Sequence, residues 1–273
     1  MSNLSISKAW EQAQRVLAHD GKLITSVALA LIVLPQTISG LIAPPPTLSA
    51  ATPPSWMPAV SIVMAVLGVA GQLAIARLAL GPSTSVGDAV QHGFRRVAPA
   101  FVALILFGLA LLVLLAPVVL LMAGGDGLKS LATNEPTPAA AGAVLIVILL
   151  CLAAAPRFQL VIPAAAAETG GPVRLLQRSW QMTDGSYLRL LGFLLLIMVV
   201  ALVVVLFVGQ VIVGLIVKAL FGTIHPFSLG ALVAALLGAI VSAGFASVTT
   251  VILARIYVQL SGRGAPSVPK SGI

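Results

Sequence analysis

Six apolar runs, each long enough to cross a bilayer, leave this chain few folds to choose from. They lie at roughly 23–43, 58–80, 98–123, 139–167, 190–217 and 227–254. Crossing about 30 Å of hydrocarbon takes about twenty helical residues. Inside lipid the backbone must satisfy its own N–H and C=O groups, so such runs fold as helices. The expected architecture is an all-α, six-transmembrane-helix bundle. It forms a single membrane domain over 1–262, with a disordered tail over 263–273. Charged residues make up only 8% of the chain and mean hydropathy is +1.12, too apolar to clothe a water-facing surface.

Charge placement supports this reading. The net charge is +8, but the charges sit at the ends of the apolar runs. A nucleic-acid surface would gather them on one solvated face, so nucleic acid is not an expected partner. Six spans put both termini on one side of the membrane. Thirteen of the fifteen basic residues fall on that side, and only Lys129 and Lys218 on the other. The positive-inside rule then predicts a multi-pass protein of the inner membrane with both termini cytoplasmic. Residues 1–22 are polar and carry no short apolar core with a cleavage site, so the first run reads as a retained span. The single cysteine, Cys151, lies within an apolar run and offers neither a disulfide nor a CxxC-type spacing.

Three amphipathic segments precede odd-numbered spans. In the first, Ile6, Ala9, Trp10, Ala13, Val16 and Leu17 recur at helical spacing. The second begins at Ser85 with Asp88 three residues on, a capping-box-like start, and Val86, Val90, Phe94 and Val97 form its stripe. The third follows Gly170, Gly171 and Pro172, with Val173, Leu176 and Trp180 on one side. Each is followed by a span, an outer loop and a return span bearing an arginine near its inner end: Arg77, Arg157 and Arg255. The pattern predicts a pseudo-three-fold repeat of amphipathic helix plus helical hairpin, capped on the cytoplasmic face by three short helices.

The stretch from Arg157 to Gly192 is the polar hinge of this scheme. A continuous fourth helix kinked near Pro163 would place Arg157 and Glu168 on one face, eleven residues or about three turns apart. An acid ending an apolar helix needs a cation, and Arg157, Arg178 and Arg77 are the candidates for Glu168, with Trp180 beside them. In the sixth run Gly230, Ala234, Gly238, Ser242, Ala246, Thr250 and Ala254 repeat every four residues, a small-residue ladder for close helix packing. Neutral polar groups inside the spans are chiefly Gln72, Gln210 and the Gln36, Thr37 and Ser39 patch.

Arg157, Pro163, Ala164, Glu168, Gly171, Pro172, Arg178, Ser179, Trp180, Thr183 and Gly185, followed by Tyr187, form a pattern of their own. It resembles the family of the glycerophosphoryl diester phosphodiesterase membrane domain and related six-span bacterial membrane proteins. The likeness covers the six-span layout, and its specific part spans about 35 residues. It implies a membrane fold rather than an activity. In that family catalysis belongs to a separate soluble barrel, and nothing here resembles that barrel's acidic, metal-binding site.

The residues predict no enzyme of their own. His19, His92 and His225 lie in three different segments, and the seven acids show no paired-carboxylate or HExxH-like spacing. No cofactor, catalytic or metal site is expected. The expected partners are membrane lipids, whose anionic headgroups would meet Arg95, Arg96, Arg174 and Arg178, and other membrane proteins. The functional expectation is therefore a non-catalytic scaffold or accessory factor that binds lipids or partners. A small transporter or channel is the alternative, and a membrane-embedded lipid-modifying enzyme the third.

Overall fold

A computed structural model describes residues 4–42, 55–81, 85–132, 137–222 and 225–262. The expected tail over 263–273 and the proline-rich stretch after the first span lie outside these residues, as does the Gln210 side chain. Among the described residues there is no strand. Six helical runs are long and apolar enough to cross a membrane, and the molecule is an all-α, multi-pass membrane protein.

The first span is one helical run of 37 residues, Ile6–Ile42. It comprises α1 (Ile6–Ala28), a π-helical stretch over Leu29–Val33 and α2 (Leu34–Ile42). Ser5 caps its start, its hydroxyl accepting the Lys8 N–H at 3.3 Å. At 1.5 Å per residue the run reaches about 55 Å, well beyond a bilayer's hydrocarbon. Its amphipathic first turns therefore project past the membrane. The widened stretch immediately precedes Pro35, whose ring would crowd the carbonyl four residues back, and the helix continues without breaking there.

The second span is α3 (Met57–Leu80), and the third is α4 (Val86–Ala132). Ser85 and Asp88 make the expected cap: the Asp88 N–H donates to Ser85 Oγ at 3.1 Å, and that hydroxyl donates to the Asp88 carboxylate at 2.6 Å. Helix α4 runs through Pro99 and Pro117 and is interrupted at Gly124, where φ is 62°. Helical turns then extend to Ala132, where a loop was expected. Two of the three short cap helices are thus fused to the spans they precede. Only the third stands as a separate element.

The fourth span departs most from expectation. Helix α5 (Pro138–Ala154) tightens into a 3-10 turn over Ala155–Arg157, and α6 (Val161–Ala167) begins after it. The break sits at Pro156, about two turns before the expected kink, and Pro163 lies buried within α6. Helix α7 (Pro172–Thr183) is the separate cap helix. The fifth span is α8 (Tyr187–Ala201), a π-helical stretch over Leu202–Ile212, and α9 (Val213–Phe221). The sixth is α10 (Leu229–Leu260).

One large core joins α1, α3, α4, α6, α7, α8 and α10 at the end where α1 begins and α10 finishes. It is built from Ala, Leu, Val and Ile and closes around Tyr257, Leu73, Ile75 and Leu160, all essentially inaccessible. The small-residue ladder of α10 takes part only in segments. Gly230 and Ala234 are buried, as are Thr250 and Ala254, but Gly238, Ser242 and Ala246 are half-buried, and Ala239, Ala243 and Ser247 take their place inside. A strict four-residue row drifts around an α-helix of 3.6 residues per turn, so over six turns the contact face passes to the neighbouring row.

Candidate functional site

The elbow between α6 and α7 gathers most of the polar chemistry. Helix α6 ends at Glu168, whose extended backbone turns the chain toward α7, leaving carbonyls of the last turn without helical donors. Helix α4 supplies those donors. Arg96 Nε donates to Ala165 O at 3.1 Å, its terminal nitrogen donates to Glu168 O and to Gly170 O, and His92 Nε2 meets Ala166 O at 3.0 Å. A cation at a helix C-terminus also complements the helix dipole.

The Glu168 side chain faces two other helices. Arg178 Nε of α7 donates to its Oε1 at 3.0 Å, and the Tyr257 hydroxyl of α10 donates to the same oxygen at 2.6 Å. Tyr257 is wholly buried, so this carboxylate ties the core of α10 to the cap helix. Arg178 is one of the three cations named as candidates for Glu168; Tyr257 was not foreseen.

Arg157 does not share a face with Glu168. The break at Pro156 turns it toward the far end of α7, where it pairs with Asp184. Its guanidinium lies over the rings of Trp180 and Tyr187, at 4.5 and 5.3 Å from their centroids. The turn is fastened from α7 and α8: Ser179 Oγ donates to Arg157 O at 2.7 Å, and Tyr187 Oη donates to Ala153 O at 2.7 Å. Phe158 stacks on Phe107 at 3.7 Å and meets Trp180 edge-on. Gly185 follows with φ of 84°, a left-handed turn that only glycine adopts without strain.

Arg77 sits half-buried near the end of α3, within electrostatic range of His92, as are Arg95 and Arg96. Arg255 is half-buried in α10, and its Nε, like Gln12 Oε1 and Gln259 Nε2, is buried without a hydrogen-bond partner among the described residues. Arg189 donates to Leu4 O at 3.1 Å, and the Ser5 N–H donates to Gln259 Oε1 at 3.2 Å, so α8 and α10 hold the start of α1.

Helix α7 carries three distinct faces. Leu175, Ser179, Met182 and Thr183 are buried against the bundle. Val173 and Trp180 are exposed. On the remaining face Arg174, Gln177, Arg178 and Gln181, with Ala167, Glu168 and Thr169, line an open cavity of about 650 Å³. Among the described residues no three His, Cys, Asp or Glu side chains converge as a metal site would require.

The bonds of His92, Arg96, Asp184 and Tyr257 escaped the sequence reading, which set Arg96 against lipid headgroups, because their partners are far along the chain or are backbone carbonyls, which carry no residue signature. Only Tyr257, a hydroxyl within the last apolar turns of the sixth run, could have flagged a buried polar contact. Comparison with curated proteins and with solved structures returns no match. A family model does match, over residues 4–260, and so takes in all six spans and the elbow. The chain belongs to the family described as a domain of unknown function, DUF7847.

Proposed function

We propose that this protein is a non-catalytic scaffold or accessory factor of the bacterial inner membrane, with both termini in the cytoplasm, that binds lipids or other membrane proteins at its charged end. One observation carries the reading: the polar side chains there are engaged in fastening helices to one another. His92, Arg96, Arg157, Glu168 and Tyr257 hold α4, α6, α7 and α10 in place, and what they leave open is a polar cavity beside α7. The closed Ala, Leu and Val core supports the same reading. The likeness to the glycerophosphoryl diester phosphodiesterase membrane domain, carried by Arg157 to Tyr187, belongs to this proposal and brings no catalytic step with it.

Purification in mild detergent followed by mass spectrometry of retained lipids and proteins tests it. A defined lipid class or a stoichiometric membrane partner is the expected result. A bare protein with neither would overturn the proposal. The π-helical stretches in the first and fifth spans favour a small transporter as the second reading, since such stretches often mark functional positions in helices. Solute flux in proteoliposomes, absent from empty liposomes, would replace the scaffold by that reading.

A further inference from the structure

We propose that the cavity on α7 is a binding site for the phosphate of an anionic phospholipid headgroup. This rests on the lipid- or partner-binding reading above and gives it a place and a ligand. At about 100° per residue, the three faces of α7 lie about 120° apart: one against the bundle, one apolar and exposed, one lining the cavity. A helix so divided sits in the membrane interface, with lipid along its apolar face and headgroups along its polar one. Val173 and Trp180, 57% and 48% exposed, form the apolar face, and tryptophan favours headgroup depth.

The polar face suits an anion. Arg174 is exposed and makes no ion pair among the described residues. Arg178 spends its Nε on Glu168, which leaves its two terminal nitrogens to donate. Gln177, Gln181 and Thr169 add neutral donors. The one lining carboxylate, Glu168, is already engaged by Arg178 and Tyr257, so the cavity carries a formal charge of +1. Guanidinium forks match phosphate oxygens in pairs. A volume of about 650 Å³ exceeds a bare phosphate and admits a headgroup with its glycerol. Arg174 is also positioned: its stem packs over Gly170, where an added Cβ would lie 3.4 Å from its Cδ.

The test uses the full chain in nanodiscs of phosphatidylcholine with a minor fraction of phosphatidylglycerol, transferred to mild detergent for native mass spectrometry of retained lipid. Wild type is expected to keep phosphatidylglycerol over phosphatidylcholine. Arg174→Gln should weaken that retention about five-fold, the worth of one arginine near an anionic surface. Gln177→Glu, an exposed change that leaves the Glu168–Arg178 pair intact, should lower it as well. Lys8→Gln, an exposed cation on α1, should leave it unchanged. Millimolar free glycerol 3-phosphate should not displace the lipid. Equal losses in Arg174→Gln and Lys8→Gln would overturn the site while leaving the lipid-binding reading standing. Binding of glycerol 3-phosphate with no lipid retained would overturn the lipid assignment. No preference between the two lipids, together with no retained protein, would sink both.

Discussion

The first, second and sixth spans bury 39%, 33% and 28% of their most apolar windows inside the protein, whereas the third, fourth and fifth bury 11% or less. All six are greasy enough to span, though the packed trio is the less apolar, with window hydropathies of 1.8–2.2 against 2.5–3.4 in the exposed trio. Lipid is as apolar as leucine, so burying leucine against another helix gains little, and close backbone approach decides instead. The packed trio has that approach. An added Cβ at Gly71 of α3 would lie 2.9 Å from Ile32 of the first span, and one at Gly40 would lie 2.7 Å from Ala235 of α10. In the exposed trio a Cβ at Gly108, Gly142 or Gly192 would meet nothing within 4 Å. The exposed spans are held at their charged ends by Gly93 against Ala70 and by the bonds of the elbow, and at the opposite end by Val213 and Val217 against Ala231 and Ala234 and by Ala140 and Ala143 against Val119.

That contrast can be broken by four substitutions of decreasing effect. Gly93→Val drives a side chain to 2.7 Å from Ala70 O, a backbone atom that cannot step aside, and should cost about 3 kcal/mol, the upper part of the overpacking range. Unfolding in mixed micelles measures this, and wild-type stability would mean the α3–α4 contact is not formed. Glu168→Ala strips both Arg178 and Tyr257 of their acceptor. Because this pair is only partly buried, the loss should be about 2 kcal/mol, below that of a fully buried pair. Wild-type folded yield and melting temperature in detergent would reject the latch.

Arg157→Lys keeps the charge near Asp184 but gives up the flat guanidinium over Trp180 and Tyr187. A loss of about 1 kcal/mol is expected, with a change in Trp180 emission when the other two tryptophans are replaced. An unchanged spectrum would remove the stacking from the account. Smallest of all, Gly108→Val lies on the same helix as Gly93 and should shift stability by less than about 0.5 kcal/mol. Equal effects at the two positions would erase the difference between the trios.

The spans, their order and the crowding of basic residues at one end were legible because length, hydropathy and charge act locally. The Ser85–Asp88 cap was legible for the same reason. The elbow was legible only in part. Glu168 with Arg178 is close in sequence, one helix start apart, and could be foreseen. The break at Pro156 could not, because what fixes it is tertiary: Ser179 and Tyr187 hold carbonyls 22 and 34 residues away. Moving the break by about two turns is enough to swing Arg157 from Glu168 to Asp184. Spacing placed Val173 and Trp180 on one side of α7 but did not say what that side meets; only the docked helix reveals that Leu175 and Met182 face the bundle.

The central claim is that one trio packs and carries the fold while the other mostly stands against the bilayer, fastened at its ends. Photolabelling the unmodified chain in nanodiscs with a diazirine-bearing phospholipid, followed by peptide mass spectrometry, tests it most directly. The account predicts labels around most of the circumference of 105–121 in α4 and 195–203 in the fifth span, sparing only the stripe of Phe107, Leu115 and Val119 in the one and Ile197 in the other, and none at Leu73, Ala74, Ile75, Ala243 or Val251. Labels confined to a single stripe of the third and fifth spans, or reaching those buried positions, would contradict it.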